Sequence, residues 1–371
     1  MSKIYFKGLD GLRGIAAILV VFGHVELIKK SFNYKNVYDG DGLFFLYLGG
    51  HAVTFFFVLS GFLITFLLLK ERAERDKINI KNFYIRRILR IWPVYYLLFI
   101  CGFFLLPLLV SSPLLLPKII SEEDYWNSFI FNLALLPNFS KVSNPVAFQS
   151  WSIGVEEQFY IFWPLIISRI NSLKRLLVAM IGIIFGIYLL RSGIYFNNFF
   201  ELNMPFLDNI NKFFGESRFD NMAIGGVLAI IFYKKPNYKL SLGLKLLIAF
   251  LVITILLKTA TIGFGLDNPI AAIVFAGLIY WVVKVEHNMV LENKVIIYLG
   301  KISYGIYMYH VIGIILAINI VIRFNPFFDG KGIYFNLLLY LLSMIITIFI
   351  SYLSYHFMEK RILKFKNRIS N

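Results

Sequence analysis

Gly11-Leu-Arg13-Gly-Ile-Ala-Ala-Ile-Leu-Val-Val-Phe-Gly-His24 sets an arginine and a histidine in one otherwise apolar run. At 100° per residue, the eleven steps from Arg13 to His24 close three turns with about 20° to spare. A helix here therefore points both side chains along one stripe, roughly 16 Å apart. Such a run is either a buried core helix or a membrane span, and the rest of the chain decides which. Of 371 residues, 59% are apolar and 16% charged, and the mean hydropathy is +0.73; soluble domains carry roughly 25% charge. That balance excludes a soluble globular enzyme, a disordered chain and a disulfide-stapled secreted module. The one cysteine, Cys101, can form no internal disulfide. The chain reads as an all-α, polytopic membrane protein.

A spanning helix needs about 20 mostly apolar residues, fewer when its ends snorkel or tilt. Ten stretches qualify: 11–28, 44–69, 93–110, 153–170, 176–192, 219–233, 241–259, 269–283, 302–322 and 333–355. A further patch, Trp126 to Asn138, is too short to cross and contains Pro137, so it reads as an interfacial or re-entrant segment. Basic residues collect in cytoplasmic loops. With the N-terminus cytoplasmic, 26 of the 37 Lys and Arg lie on the inner side and 11 outside, while the acidic residues divide 7 and 14. The net +16 thus resolves into +19 inside and −3 outside, which puts both termini in the cytoplasm and removes the reason to expect a nucleic-acid partner. Asp10 and Arg13 interrupt any leader-like apolar core, so the first helix is expected to be retained. No repeat or low-complexity tract breaks residues 1–371, which read as one membrane domain.

Ionisable groups inside a membrane are costly and are functional candidates by default. His24 is the first of them. Arg13 is the second, although a topogenic charge that snorkels to the interface would look the same. Arg86, Arg87 and Arg90 fall in a basic loop just before Pro93, which opens the third span. On a helix their i,i+3 and i,i+4 spacing converges three guanidinium groups, a geometry suited to clustered phosphates. Positive-inside bias and anionic lipid account for the same residues equally well. Glu156 and Glu157 stand at the outer end of the fourth span, at the depth of His24. Adjacent helical residues point 100° apart, so one of the two can face a central site and hold an imidazole in its reactive tautomer. Trp151 and Tyr160 are either acceptor-binding platforms or part of an interfacial aromatic belt, and the belt is the simpler account. Tyr304 and His310 lie in the ninth span and are candidates to line the same cavity. The Ser60-Gly61 pair reads as close helix packing, since no nucleophile-elbow motif surrounds it. No metal-ligand spacing is present, so no metal is expected.

Several of these runs together resemble the acyltransferase-3 family of integral membrane acyltransferases: Gly8-Leu-Asp10-Gly-Leu-Arg13 with His24, Phe57-Val-Leu-Ser60-Gly61-Phe, the Arg86, Arg87 and Arg90 loop, Ser150-Trp151-Ser152 through Glu156-Glu157 to Tyr160, and Ile302-Ser303-Tyr304 through Tyr307 to His310. They occur in the family's order from residue 8 to residue 310. The resemblance implies a ten-helix membrane domain in a bacterial inner membrane. It implies transfer of an acyl group, usually acetyl from cytoplasmic acetyl-CoA or another acyl-CoA, to a hydroxyl of a cell-surface or lipid-linked saccharide or glycolipid. It also implies that His24 is the essential histidine, Arg13 its partner, and Arg87 with Arg90 the Arg-x-x-Arg pair, with no permanently bound cofactor. Family members often carry a C-terminal esterase-like domain; this chain ends 16 residues after the last span and so resembles the stand-alone form, for which a separate extracytoplasmic partner is an expectation.

The residues fit that chemistry independently. A phosphorylated donor would meet the arginines on the inner side, and its thioester would pass Arg13 to reach His24, acting as general base or as acyl relay. A secondary transporter is the principal rival, and a flippase-type subunit of envelope-glycan assembly the lesser one. A transporter predicts repeated halves with broken helices, whereas the Arg13–His24 stripe and the arginine loop each occur once.

Overall fold

A computed structural model describes residues 5–37, 43–105, 122–140, 147–199, 217–236, 238–257, 267–285 and 288–369. The described residues are helical wherever they are regular, with no strand among them. In chain order the helices are α1 (Leu9–Ser31), α2 (Leu43–Arg75), α3 (Ile80–Ile100), α4 (Glu122–Leu133), α5 (Trp151–Arg169), α6 (Leu173–Phe199), α7 (Phe219–Lys234), α8 (Leu242–Leu256), α9 (Asp267–Lys284), α10 (Lys294–Lys301), α11 (Ser303–Phe324), α12 (Ile333–Ser354) and α13 (Lys360–Ile369). Eight of the ten apolar stretches lie on these helices to within one residue; 93–110 and 241–259 begin on α3 and at the start of α8, and their ends, 106–110 and 258–259, lie outside the described residues. Six helices, including α1, α11 and α12, are long and apolar enough to cross a membrane, and α8 and α9 are shorter apolar helices. The chain is a multi-pass membrane protein.

The third span departs from the expected boundary. Helix α3 begins at Ile80 and runs through Pro93, so the three arginines sit on the same continuous helix as the apolar segment that follows. Proline is tolerated within membrane helices because neighbours re-satisfy the backbone it disturbs. Two residues before Pro93, the Ile91 carbonyl accepts a hydrogen bond from the Tyr304 hydroxyl at 2.9 Å. The Trp126–Asn138 patch forms α4 and then a 3-10 turn, Pro137–Phe139.

The chain divides into two compact units, each assembled from separate segments. The first comprises Met1–Leu9, Val53–Ile80 and Val155–Asn293. Within it α6 and α9 pack against α7, and α8 packs against α9. Phe6, Phe62, Phe66 and Phe232 form an aromatic cluster with centroids 5.3–6.1 Å apart. Helices α2 and α7 approach backbone to backbone: a side chain on Gly61 would collide with the Met222 carbonyl, and one on Gly225 with that of Val58. The Ser60-Gly61 run is therefore the close-packing seam its sequence suggests.

The second unit comprises Asp10–Ala52, Lys81–Gly154 and Lys294–Asn371. Its centre is the pairing of α11 with α12, where Gly313 leaves no room for a side chain beside Thr347. The last turns of α1 are held by a buried ion pair. Lys29, wholly buried, donates to both oxygens of Glu26 at 3.0 Å, to the Gly330 carbonyl at 3.0 Å and to Asn336 Oδ1 at 2.7 Å. Glu26 also accepts from the Tyr340 hydroxyl and from the Val37 amide, each at 3.0 Å. A buried ion pair is tolerated when its remaining donors and acceptors are matched in this way.

Candidate functional site

Helix α1 is unbroken from Leu9 to Ser31, so Arg13 and His24 do share a stripe. Near the start of the helix, Arg13 pairs with Asp10 at 3.6 Å. The same end lies tightly against α10, since any side chain at Gly300 would strike the Asp10 carbonyl. Arg13 thus stands at a fixed point of the second unit.

Three turns further along, the half-buried His24 ring faces His310 of α11, centroid to centroid 4.8 Å, and Phe148 at 5.5 Å. On another side Gly49 brings α2 close, so that a Cβ there would lie 3.2 Å from the ring's Cε1. Nδ1 of His24 is 2.8 Å from the Val20 carbonyl, and Nδ1 of the fully buried His310 is 2.6 Å from the Tyr307 carbonyl. A carbonyl can only accept. Each ring therefore carries a proton on Nδ1, and in the neutral form each keeps its lone pair on Nε2. Nε2 of His310 has no hydrogen-bond partner among the described residues. Two imidazoles with unprotonated Nε2 atoms, side by side, form a ready acceptor for a proton or an electrophile.

The residues around the pair are held by a dense polar scaffold. Tyr307, one turn before His310, shares a hydrogen bond of 2.6 Å with Ser152 and donates to the Gln149 carbonyl at 3.1 Å. Gln149 donates in turn to the Met308 carbonyl at 2.6 Å. Ser150 bonds Asn132 of α4 at 3.1 Å, and the Asn132 carbonyl accepts from the Tyr95 hydroxyl of α3 at 2.8 Å. The Phe148–Ser152 segment is thus pinned to the helix that carries His310, which sets Phe148 against His24. Phe148, Gln149, Ser152 and Tyr307 have no predicted role from sequence. Their signal is the Ser150-Trp151-Ser152 run and the i,i+3 spacing of Tyr307 and His310.

The other predicted residues fall as follows. Arg86 and Arg87 are half-buried and Arg90 is exposed on α3, with Arg87 lying 5.4 Å from the Phe83 ring centroid. Their helical spacing is as expected, so Arg90 shares a face with each of the other two. Tyr304 is used by the Ile91 carbonyl. Trp151 is half-buried at the first turn of α5. Glu156, Glu157 and Tyr160 belong to the first unit. There Ser60 donates to Glu156 at 2.6 Å and accepts from the Tyr160 hydroxyl at 3.3 Å, a short chain ending on a carboxylate. Glu157 is half-buried. The tautomer of His24 is set by the Val20 carbonyl, a partner that no side-chain pattern could reveal. Among the described residues no cluster of three metal-ligating side chains occurs.

Residues 6–356 match the model of the family described as an acyltransferase domain, the acyltransferase-3 family. O-acetyltransferase OatA of Staphylococcus aureus (strain NCTC 8325 / PS 47) is 26% identical over 98% of this chain and 58% of its own length. A Bacillus subtilis protein provisionally named peptidoglycan O-acetyltransferase YrhL is 27% identical over 96% of this chain and 55% of its own. A protein of S. aureus (strain COL), provisionally named an O-acetyltransferase, is 29% identical over 96% and 57%. The chain spans little more than half the length of these curated relatives. No solved structure matches it.

Proposed function

The chain belongs to the acyltransferase-3 family, and from that membership we propose that it moves an acyl group, acetyl in the first instance, from acyl-CoA to a hydroxyl of a cell-envelope saccharide. The observation that carries the reading is the His24–His310 pair, with both Nδ1 protons committed to backbone carbonyls. In this mechanism the saccharide hydroxyl attacks the thioester carbonyl while Nε2 of His24 takes its proton. The carbon–sulfur bond then breaks, and the coenzyme thiolate leaves and is protonated. His310 stabilises the imidazolium formed at His24 by offering its own Nε2 lone pair. General-base catalysis of this kind supplies about 10²–10⁴-fold.

On the donor side, Arg86, Arg87 and Arg90 meet the phosphates of the coenzyme, and Arg13, held by Asp10, guides its arm along the α1 stripe. Acetyl-CoA enters from the cytoplasm of a cell with its inner membrane as the site of the protein. Trp151, in the same unit as the histidine pair, serves the acceptor. A peptidoglycan saccharide is the acceptor class that the name of the B. subtilis relative brings forward.

The decisive experiment measures O-acylation of cell-wall saccharide by mass spectrometry in cells carrying His24→Ala, with membrane insertion followed in parallel. Loss of acylation with normal insertion is expected; unchanged acylation removes the proposal. Brief incubation of wild type with labelled acetyl-CoA alone, then denaturation, should leave no label on His24, whereas an acyl relay would leave a hydroxylamine-labile one.

A further inference from the structure

Away from the histidine pair, the first unit holds an apolar groove of about 580 Å³. Its walls come from α7, α8 and α9, among them Leu228, Leu247, Leu251, Ile273 and Gly277. Volumes of roughly 300–1,000 Å³ are typical of small-molecule sites. The groove exists because α8 packs on α9, and because Gly277 presents no side chain where a Cβ would already touch Ile248 at 3.3 Å. Leu247 and Ile273 are more than half exposed, so the groove opens sideways, toward whatever surrounds the helices. Among apolar helices of a multi-pass protein, that surrounding is lipid.

One end of the groove is not apolar. Lys235 lines it directly, beside Tyr238 and Tyr280. The Tyr280 hydroxyl donates to the Tyr238 carbonyl at 3.1 Å, which holds Tyr238 at this end. Lys234 and Lys239 flank Lys235, all three are exposed, and none is paired with a carboxylate among the described residues. From Leu244 to Leu251 the wall runs seven residues along α8, roughly 11 Å at 1.5 Å per residue. One leaflet of a bilayer with a 30 Å hydrocarbon core is roughly 15 Å deep. The dimensions are those of one acyl chain hanging from a headgroup at the lysines.

We propose that the α7–α8–α9 groove is a binding site for a single anionic phospholipid, with one acyl chain along Leu247, Leu251 and Ile273 and the phosphate on Lys235 and Lys239. It is separate from the transfer reaction and does not depend on it. A zwitterionic lipid would fill the apolar wall equally well but would bring no net charge to three unpaired cations, so the headgroup decides the preference.

The test is native mass spectrometry of the purified full chain, delipidated and then offered equimolar phosphatidylglycerol and phosphatidylcholine with identical chains. One retained phosphatidylglycerol per chain is expected, preferred about fivefold over phosphatidylcholine. Lys235→Gln with Lys239→Gln should abolish the preference while keeping lipid retention. Gly277→Leu should abolish retention of both lipids. Leu247→Trp fills the groove from its exposed side without touching helix packing, and should do the same if Gly277→Leu fails to fold. Equal retention of the two lipids by wild type, retention unaffected by Leu247→Trp, or a dimer that excludes lipid from the groove would each overturn the assignment.

Discussion

At the scale of single residues, the proposed chemistry rests on which nitrogen of an imidazole holds the proton. His24 and His310 each give Nδ1–H to a backbone carbonyl within their own helix, so the reactive nitrogens are matched. Removing His310 should therefore hurt the reaction without removing the base. His310→Ala is expected to lower kcat about 10²-fold, the lower end of a general-base contribution, with little change in the KM for acyl-CoA. A raised KM with unchanged kcat would place His310 in donor binding instead. Arg87 makes the opposite prediction: Arg87→Ala should raise the KM for acyl-CoA about tenfold, the loss of one charge-assisted phosphate contact, and leave the acceptor KM in place. His24 and Arg13 were legible because helical periodicity alone aligns them. His310 was legible only as a candidate to line the same cavity; its direct contact with the His24 ring was not, since 286 residues separate them and no local pattern encodes a contact between distant helices.

Among elements, α1 is fixed at both ends, by the Asp10–Gly300 backbone contact at one and by the Lys29–Glu26 ion pair at the other. Breaking one partner of a buried ion pair costs about 3–5 kcal/mol, because the other charge is left uncompensated. Lys29→Met should accordingly destabilise the protein by about that much in thermal unfolding, and Lys29→Met with Glu26→Gln should recover most of the loss. If the single and the double variant are equally unstable, the pair is not what holds the end of α1. Nothing in the local sequence marks Lys29 and Glu26 as a buried pair. Their burial depends on Asn336 and Gly330, which arrive from α12 and the turn before it. The start of α3 was misplaced for a different reason: a proline read as an opening residue stands thirteen residues inside a continuous helix.

Over the whole molecule, the all-helical, multi-pass character was readable, because a bilayer admits few alternatives to an apolar helix of sufficient length, and six of the described helices are long and apolar enough to cross. Sidedness is open to a direct check. In a Cys101→Ala background, cysteine at Phe327 should react with an impermeant thiol reagent added outside intact cells, and cysteine at Met289 should not; both positions are 93% exposed. Labelling at Met289 would reverse the orientation derived from the basic residues. The division into two units was not readable, since neither is a contiguous stretch of chain.

That interleaving sets a clock on the protein's manufacture. The second unit opens at Asp10 and closes only with segment Lys294–Asn371, so His24 enters the membrane early and meets His310 last. At about 5–20 residues per second, the interval between the two histidines leaving the ribosome is roughly 15–60 s. Throughout it His24 has no His310 to pair with. A chain truncated before α11 carries His24 without His310, and on the proposed mechanism such a product is expected to be inactive.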